Sequence, residues 1–199
     1  MTESIFPLVL FALISTLSPG GATTLATASG AQFGFRRSIP LLAGIAVGLA
    51  CLAAAAAAGL ASLLLAAPSL QFAMKLAGSA YLLWLAWKIG RSGPPAPKSG
   101  LAVPTRFWGG ADLLLLNPKG WAMALGAAAS FALLASGPLQ LALLLGATFG
   151  LAASASLSLW CVAGLMLARL LTRTWHWRLV NGMLGLLLAA SIVPMWLEA

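Results

Sequence analysis

Lys119 is the thirteenth residue of the apolar run Phe107–Leu134, close to the centre of any helix built from it. A base held at bilayer depth costs at least about 2.5–3.5 kcal/mol on the most lenient insertion scale. Snorkelling to either interface would need a reach of roughly ten ångström or more, the limit of a lysine stem. Two arrangements would justify the cost. The ammonium can line a polar cavity and hold a carboxylate, or it can be satisfied by carbonyls freed at the neighbouring Pro118. Asp112 stands seven residues earlier and is the only acid well inside the chain. In a continuous helix nearly two turns would bring it to the face of Lys119, as an amino-group partner or proton carrier. It also reads as an interfacial acid favoured by the positive end of its helix and close to Arg106.

The lysine belongs to one of two matching interruptions. Ser18-Pro19-Gly20-Gly21 breaks the first apolar run, and Asn117-Pro118-Lys119-Gly120 breaks the fourth. Proline removes a backbone donor and clashes with the preceding turn. It also drives the residue before it out of the helical region, and glycine loosens the chain further. Freed backbone groups in hydrocarbon cost several kcal/mol each, so both breaks must face protein or a wet cavity. Ser15, Thr16, Ser18, Thr23 and Thr24 supply hydroxyls around the first break, which in membrane helices mostly bond their own backbone. Asn117 can both donate and accept at the second, and Asn181 adds an amide in the last apolar run.

The remaining inventory is poor. There is one histidine, His176, in a basic, Trp-rich loop, and there are two cysteines and three acids. A zinc site needs three or four gathered ligands, and these residues are scattered. No metal or organic cofactor is expected, and the lone loop histidine and unclustered acids argue against an intramembrane enzyme. Cys51 and Cys161 fall inside apolar runs and read as small buried hydrophobes, with no disulfide framework.

The elements that must position these residues follow from composition. Of 199 residues, 61% are apolar and 7% charged, against about 45–50% and 25% in soluble domains. Such a chain cannot clothe itself in polar surface, which excludes a soluble monomer. Six apolar runs reach spanning length or close to it: Ile5–Ala31, Ile39–Ala66, Phe72–Ile89, Phe107–Leu134, Leu139–Ala168 and Leu179–Leu197. The first reads as a retained span, because Met1-Thr2-Glu3-Ser4 lacks the positive n-region of a cleaved signal. Residues 90–106, with four prolines, read as a linker.

Charge sets the orientation. The formal net charge is +8, and nine of eleven bases fall in the three loops after spans one, three and five. Arg36, Arg37, Arg169 and Arg173 are prominent among these topology-setting residues, and the positive-inside rule makes that side cytoplasmic. Both termini, with Glu3 and Glu198, then face the periplasm. A nucleic-acid partner would need a continuous basic stripe, whereas these bases are clustered between apolar runs.

The two halves are alike. Ser18-Pro19-Gly20 matches Asn117-Pro118-Lys119 after 99 residues, Gly44-x-x-x-Gly48 matches Gly146-x-x-x-Gly150 after 102, and Lys75-Leu76-x-Gly78 matches Arg178-Leu179-x-Asn181 after 103. Three spans per copy invert the second copy. The expected fold class is therefore an all-α membrane protein. Its six transmembrane helices form two inverted three-helix repeats, 1–89 and 107–199, with helices one and four broken. Inverted repeats with broken helices mark secondary transporters, whose sites lie where the breaks meet. The glycine pairs read as close-packing positions.

These residues resemble the lysine exporter family (LysE/RhtB type). The resemblance is carried by Ser18-Pro19-Gly20-Gly21, Phe33-Gly34-Phe35-Arg36-Arg37-Ser38-Ile39-Pro40, Gly44-Ile45-Ala46-Val47-Gly48, Gly78-Ser79-Ala80-Tyr81-Leu82-Leu83-Trp84-Leu85 and Leu116-Asn117-Pro118-Lys119, in order along nearly the whole chain. It implies six helices and efflux of amino acids or similar small metabolites across a bacterial inner membrane, driven by exchange with protons. The first motif departs at its third place, Gly21 where the family usually has proline. Leu49 stands where many members carry an acid, which leaves Asp112 as the intramembrane proton-carrying candidate. The expected substrate site comprises Ser18, Pro19, Gly20, Gly21, Asn117, Pro118 and Lys119, serving a small zwitterionic metabolite. The bilayer and protons are further partners, and a homo-oligomer is compatible. A non-transporting scaffold subunit, which would tolerate changes at the breaks, and a passive channel are the alternatives.

Overall fold

The computed structural model describes residues 5–60, 68–91, 106–170, 173–190 and 192–193. The fold is all helical, with no strand among these residues. Its elements are α1 (Phe6–Leu17), α2 (Gly21–Phe33), α3 (Phe35–Ala55, continued by a π turn Ala56–Leu60), α4 (Pro68–Gly90), α5 (Phe107–Leu115), α6 (Pro118–Ser130), α7 (Pro138–Leu170) and α8 (Thr174–Ala190). A short 3-10 turn, Ala132–Leu134, joins α6 to the α7 connection. α3 with its π turn and α7 are long and apolar enough to cross a membrane. The pair α1 and α2, bent by 59°, qualifies as a broken span.

Prolines mark the helix starts. Pro7 lies in the first turn of α1, and Pro68, Pro118 and Pro138 open α4, α6 and α7. A first-turn residue has no intrahelical acceptor for its N–H, so proline costs nothing there. Gly34 joins α2 to α3 with φ 77°, a left-handed conformation that glycine adopts freely.

Several helix ends overrun the apolar runs, and one falls short. α8 begins at Thr174 rather than Leu179, and α3 at Phe35 rather than Ile39. α6 stops at Ser130, four residues short of the expected Leu134. Apolarity marks the depth of hydrocarbon, whereas backbone hydrogen bonding continues into the interface, where long bases and tryptophans sit comfortably. Lys88 and Arg91 at the end of α4 accordingly cover the rings of Trp84 and Trp87, at 4.9 and 5.1 Å from the centroids. Most of the linker expected over 90–106, with Pro94, Pro95, Pro97 and Pro104, lies outside the described residues, as do Glu3 and Glu198.

Helices from the two halves pack on each other: α3 and α2 on α7, α3 on α5, and α4 on α8. Glycines make the approach possible. A Cβ on Gly30 would collide with the Cys161 carbonyl, and one on Gly164 with the Thr27 carbonyl, so α2 and α7 meet backbone to backbone from both sides. Gly44 and Gly110 do the same for α3 and α5, against the carbonyls of Phe107 and Leu41. Gly146 and Gly150 bring α7 onto Ala50 of α3. Tight contact of this kind supplies cohesion where no hydrophobic drive exists between helices in lipid. Gly164→Val is expected to push α7 off α2 and destabilise the fold by about 1–3 kcal/mol, the usual cost of overpacking. Thermal unfolding in detergent measures it, and an unchanged midpoint contradicts the contact.

Cys161 is fully buried in the core beside Gly30, as expected, whereas Cys51 is exposed on α3; both are free thiols.

Candidate functional site

Each break is a short extended joint between two helices. Ser18 adopts φ −62°, ψ 137°, and Asn117 φ −93°, ψ 110°. Both precede proline, whose ring excludes the helical region for the residue before it. At the second break Asn117 Oδ1 accepts from the Lys119 N–H at 3.1 Å, a side-chain cap on α6.

The joints touch. Lys119 Nζ donates to Ser18 O at 2.8 Å and Ser18 Oγ at 2.7 Å, and lies 3.4 Å from Pro19 O. An ammonium has three donors, and three acceptors surround this one. The carbonyls that satisfy Lys119 belong to the first break, about a hundred residues away in sequence, rather than to Pro118. The reason is electrostatic. The first residues of α6 carry the positive end of that helix, while the C-terminus of α1 is a negative pole that attracts a cation.

The negative pole is capped along its whole length. The Ile14 carbonyl accepts from the Ser18 N–H at 3.0 Å, and Ser15 O from Ser18 Oγ at 2.8 Å. Thr16 O accepts from Ser156 Oγ at 2.8 Å, and Leu17 O from Trp160 Nε1 at 3.2 Å. Gly20 O accepts from the Thr24 N–H and from Thr23 Oγ1. Hydroxyls near the break thus bond chiefly to backbone. Sequence reasoning missed Ser156 and Trp160. Their spacing of four, continued by Gly164, places all three on one face of α7, and that pattern was readable.

Between the joints lies an open cleft with about 400 Å³ of empty space, open solvent at its mouth included. Its polar wall includes Ser15, Thr16, Ser18, Thr23, Asn117 and Lys119, with Gly20 and Gly21 at the joint. The opposite wall is apolar, with Ile45, Leu49, Leu114, Met123 and Leu157. Its lining holds one cation and no acid.

Of the residues expected at the substrate site, Ser18, Gly20, Gly21, Asn117 and Lys119 line the cleft, while the backbones of Pro19 and Pro118 shape its two joints. Asp112 does not join them. The helix ends at Leu115, so the two-turn register toward Lys119 is lost, and Asp112 is exposed on α5 outside the cleft. Arg36, Arg37, Arg169 and Arg173 are exposed near helix ends, away from the cleft. Asn181 is fully buried in α8, likewise away from it.

The fold and site define a helical protein with apolar helices long enough to cross a membrane and a small polar cleft where two proline-interrupted helices meet. The chain belongs to the LysE type translocator family, whose model matches residues 13–191. Similar proteins include the cysteine/O-acetylserine efflux proteins of Salmonella choleraesuis strain SC-B67, 36% identical over 109 residues, and Escherichia coli strain K12, 36% over 110 residues. Each match spans 55% of this chain and 55% of the relative, so the chain spans about half the length of the curated relatives it matches. No solved structure matches the chain significantly.

Proposed function

We propose that the protein exports small amino acids with uncharged side chains across the bacterial inner membrane, by alternating access around the cleft. The carrying observation is the contact of Lys119 Nζ with Ser18, which brings both interruptions to one point. A cation at a cleft between helix ends suits a substrate carboxylate. The apolar wall, Leu49 included, and the lack of an acid in the lining suit a neutral side chain. The named activities of the relatives, cysteine and O-acetylserine efflux, fall in that class.

In this reading six spans form two inverted three-helix repeats, 1–89 and 107–199, joined by a cytoplasmic linker, with both termini periplasmic. The exposed Arg36, Arg37, Arg169 and Arg173 hold that orientation. Protons move in exchange, and Asp112, the only acid among the described residues, is the coupling candidate. The packing of first-half helices on second-half helices supports the repeat, because an inverted pair buries its faces mutually.

The test is efflux from proteoliposomes loaded with labelled L-cysteine or L-serine. Outward flux is expected to rise severalfold when an opposing proton gradient is imposed. Flux indifferent to the gradient identifies a passive channel, and absence of flux leaves a scaffold subunit.

A further inference from the structure

The hydrogen-bond accounting at the joints divides the cleft into two seats of opposite polarity. One is electropositive. The first-turn N–H groups of Gly21 and Ala22 have no intrahelical acceptor, and they open α2 at the cleft. Beside them stands Asn117, only 6% exposed. Its Oδ1 is committed to the α6 cap, while its Nδ2 has no hydrogen-bond partner among the described residues. That Nδ2 lies 3.7 Å from where a Gly21 Cβ would stand, beside the Leu82 and Leu188 methyls that pack there at 3.1 and 3.2 Å, so it sits next to the start of α2. An amide donor of a buried residue beside a helix N-terminus is a place for a carboxylate.

The second seat is electronegative and is filled by the protein itself. Ser18 O, Ser18 Oγ and Pro19 O are the acceptors that a substrate ammonium would use, and all three surround Lys119 Nζ. The seats are neighbours. Lys119 Nζ is 3.3 Å from a Gly20 Cβ position, one residue before the Gly21 position that Asn117 approaches. Consecutive Cα atoms stand about 3.8 Å apart, and the nitrogen and carboxyl carbon of an α-amino acid about 2.5 Å. One α-amino acid can therefore address both.

We propose that the Lys119 ammonium is a resident stand-in for the substrate's α-ammonium. It holds the negative end of α1 in the resting protein and is displaced when a substrate enters. The substrate carboxylate settles on Gly21, Ala22 and Asn117 Nδ2 and draws the Lys119 ammonium across to itself. The substrate's own ammonium takes the vacated Ser18 and Pro19 oxygens. The proposal rests on the cleft being the transport site. It makes the zwitterion the minimal ligand, because only a carboxylate can draw the lysine off and only an amine can replace it.

The test reads binding to purified protein in detergent, independently of transport. The probes are L-serine and L-cysteine, their methyl esters, and the N-trimethylated serine ester. The native protein is expected to bind the free amino acids and exclude the esters. Lys119→Met is expected to gain at least tenfold in affinity for the primary-amine esters, which now enter an open seat, and to lose affinity for the free amino acids. An equal gain for the N-trimethylated ester, which cannot donate to carbonyls, would reduce the effect to lost charge repulsion and overturn the proposal.

Ser18→Ala keeps every charge and removes one of the three acceptors holding the lysine. It is expected to bind the free amino acids severalfold more tightly, since less self-occupation must be undone. Weaker binding by Ser18→Ala makes the hydroxyl a plain substrate ligand and overturns the proposal, as does the absence of binding by native protein. Failed flux with these binding patterns intact would remove the transport reading and leave the two seats standing.

Discussion

Lys119→Ala is expected to lower amino-acid efflux from loaded vesicles by at least about tenfold while leaving the inserted, folded protein nearly as abundant. A hydrogen bond to a charged group contributes about 1.5–3 kcal/mol, and each 1.4 kcal/mol is a factor of about ten. Losing the cation that meets the carboxylate therefore costs one to two orders of magnitude. Stability is nearly balanced by two opposing terms. Removal of a base from bilayer depth saves at least about 2.5–3.5 kcal/mol of insertion cost. Loss of the donor to Ser18 O and Pro19 O leaves carbonyls unsatisfied at about 1–3 kcal/mol each. Initial efflux rate measured beside membrane abundance separates these effects. Native-level efflux from Lys119→Ala would leave the site without its central group.

Asn117→Asp is expected to abolish amino-acid binding with little change in thermal stability. Aspartate caps a helix as well as asparagine does, so the acceptor for the Lys119 N–H at 3.1 Å is retained. The substitution replaces the Nδ2 donor with a second oxygen and sets a negative charge where a carboxylate must arrive. Repulsion of like charges at contact distance, partly desolvated, amounts to several kcal/mol at an effective dielectric of about 20. Binding is therefore expected to fall by more than about a hundredfold, by the same logarithmic relation. Asn117→Ala gives the opposite pattern, with about 1 kcal/mol of cap energy lost and a smaller binding defect. Equal binding by Asn117→Asp and native protein would place the carboxylate elsewhere.

The class of molecule was written in local features. Apolar run length, clustered bases and paired Pro/Gly interruptions are read over windows of a few residues, and each follows from the cost of exposing charge or backbone to hydrocarbon. The breaks at Ser18 and Asn117 were visible for the same reason, since proline acts on its immediate neighbour. Lys119 stood out as a base inside an apolar run, although the run alone left open whether its ammonium serves a ligand or the chain's own carbonyls. Helix ends such as Thr174 and Phe35 were not legible, because hydrogen bonding continues where apolarity stops.

Other features required the folded chain. A lysine's partner at a distance of a hundred residues has no local signature, so the attachment of Lys119 to the first joint rather than to its own emerges only from packing. The fate of Asp112 depended on whether α5 continues past Leu115; it does not, and the acid faces outward, apart from the cleft. Ser156 and Trp160 became part of the site only when α7 crossed α1. Local sequence sufficed for the apolar, helical character and the two proline joints, because these follow from the transfer energy and backbone sterics of nearby residues. Tertiary structure decided which carbonyls meet which donors, because pairing buried polar groups is a global constraint that no short window contains.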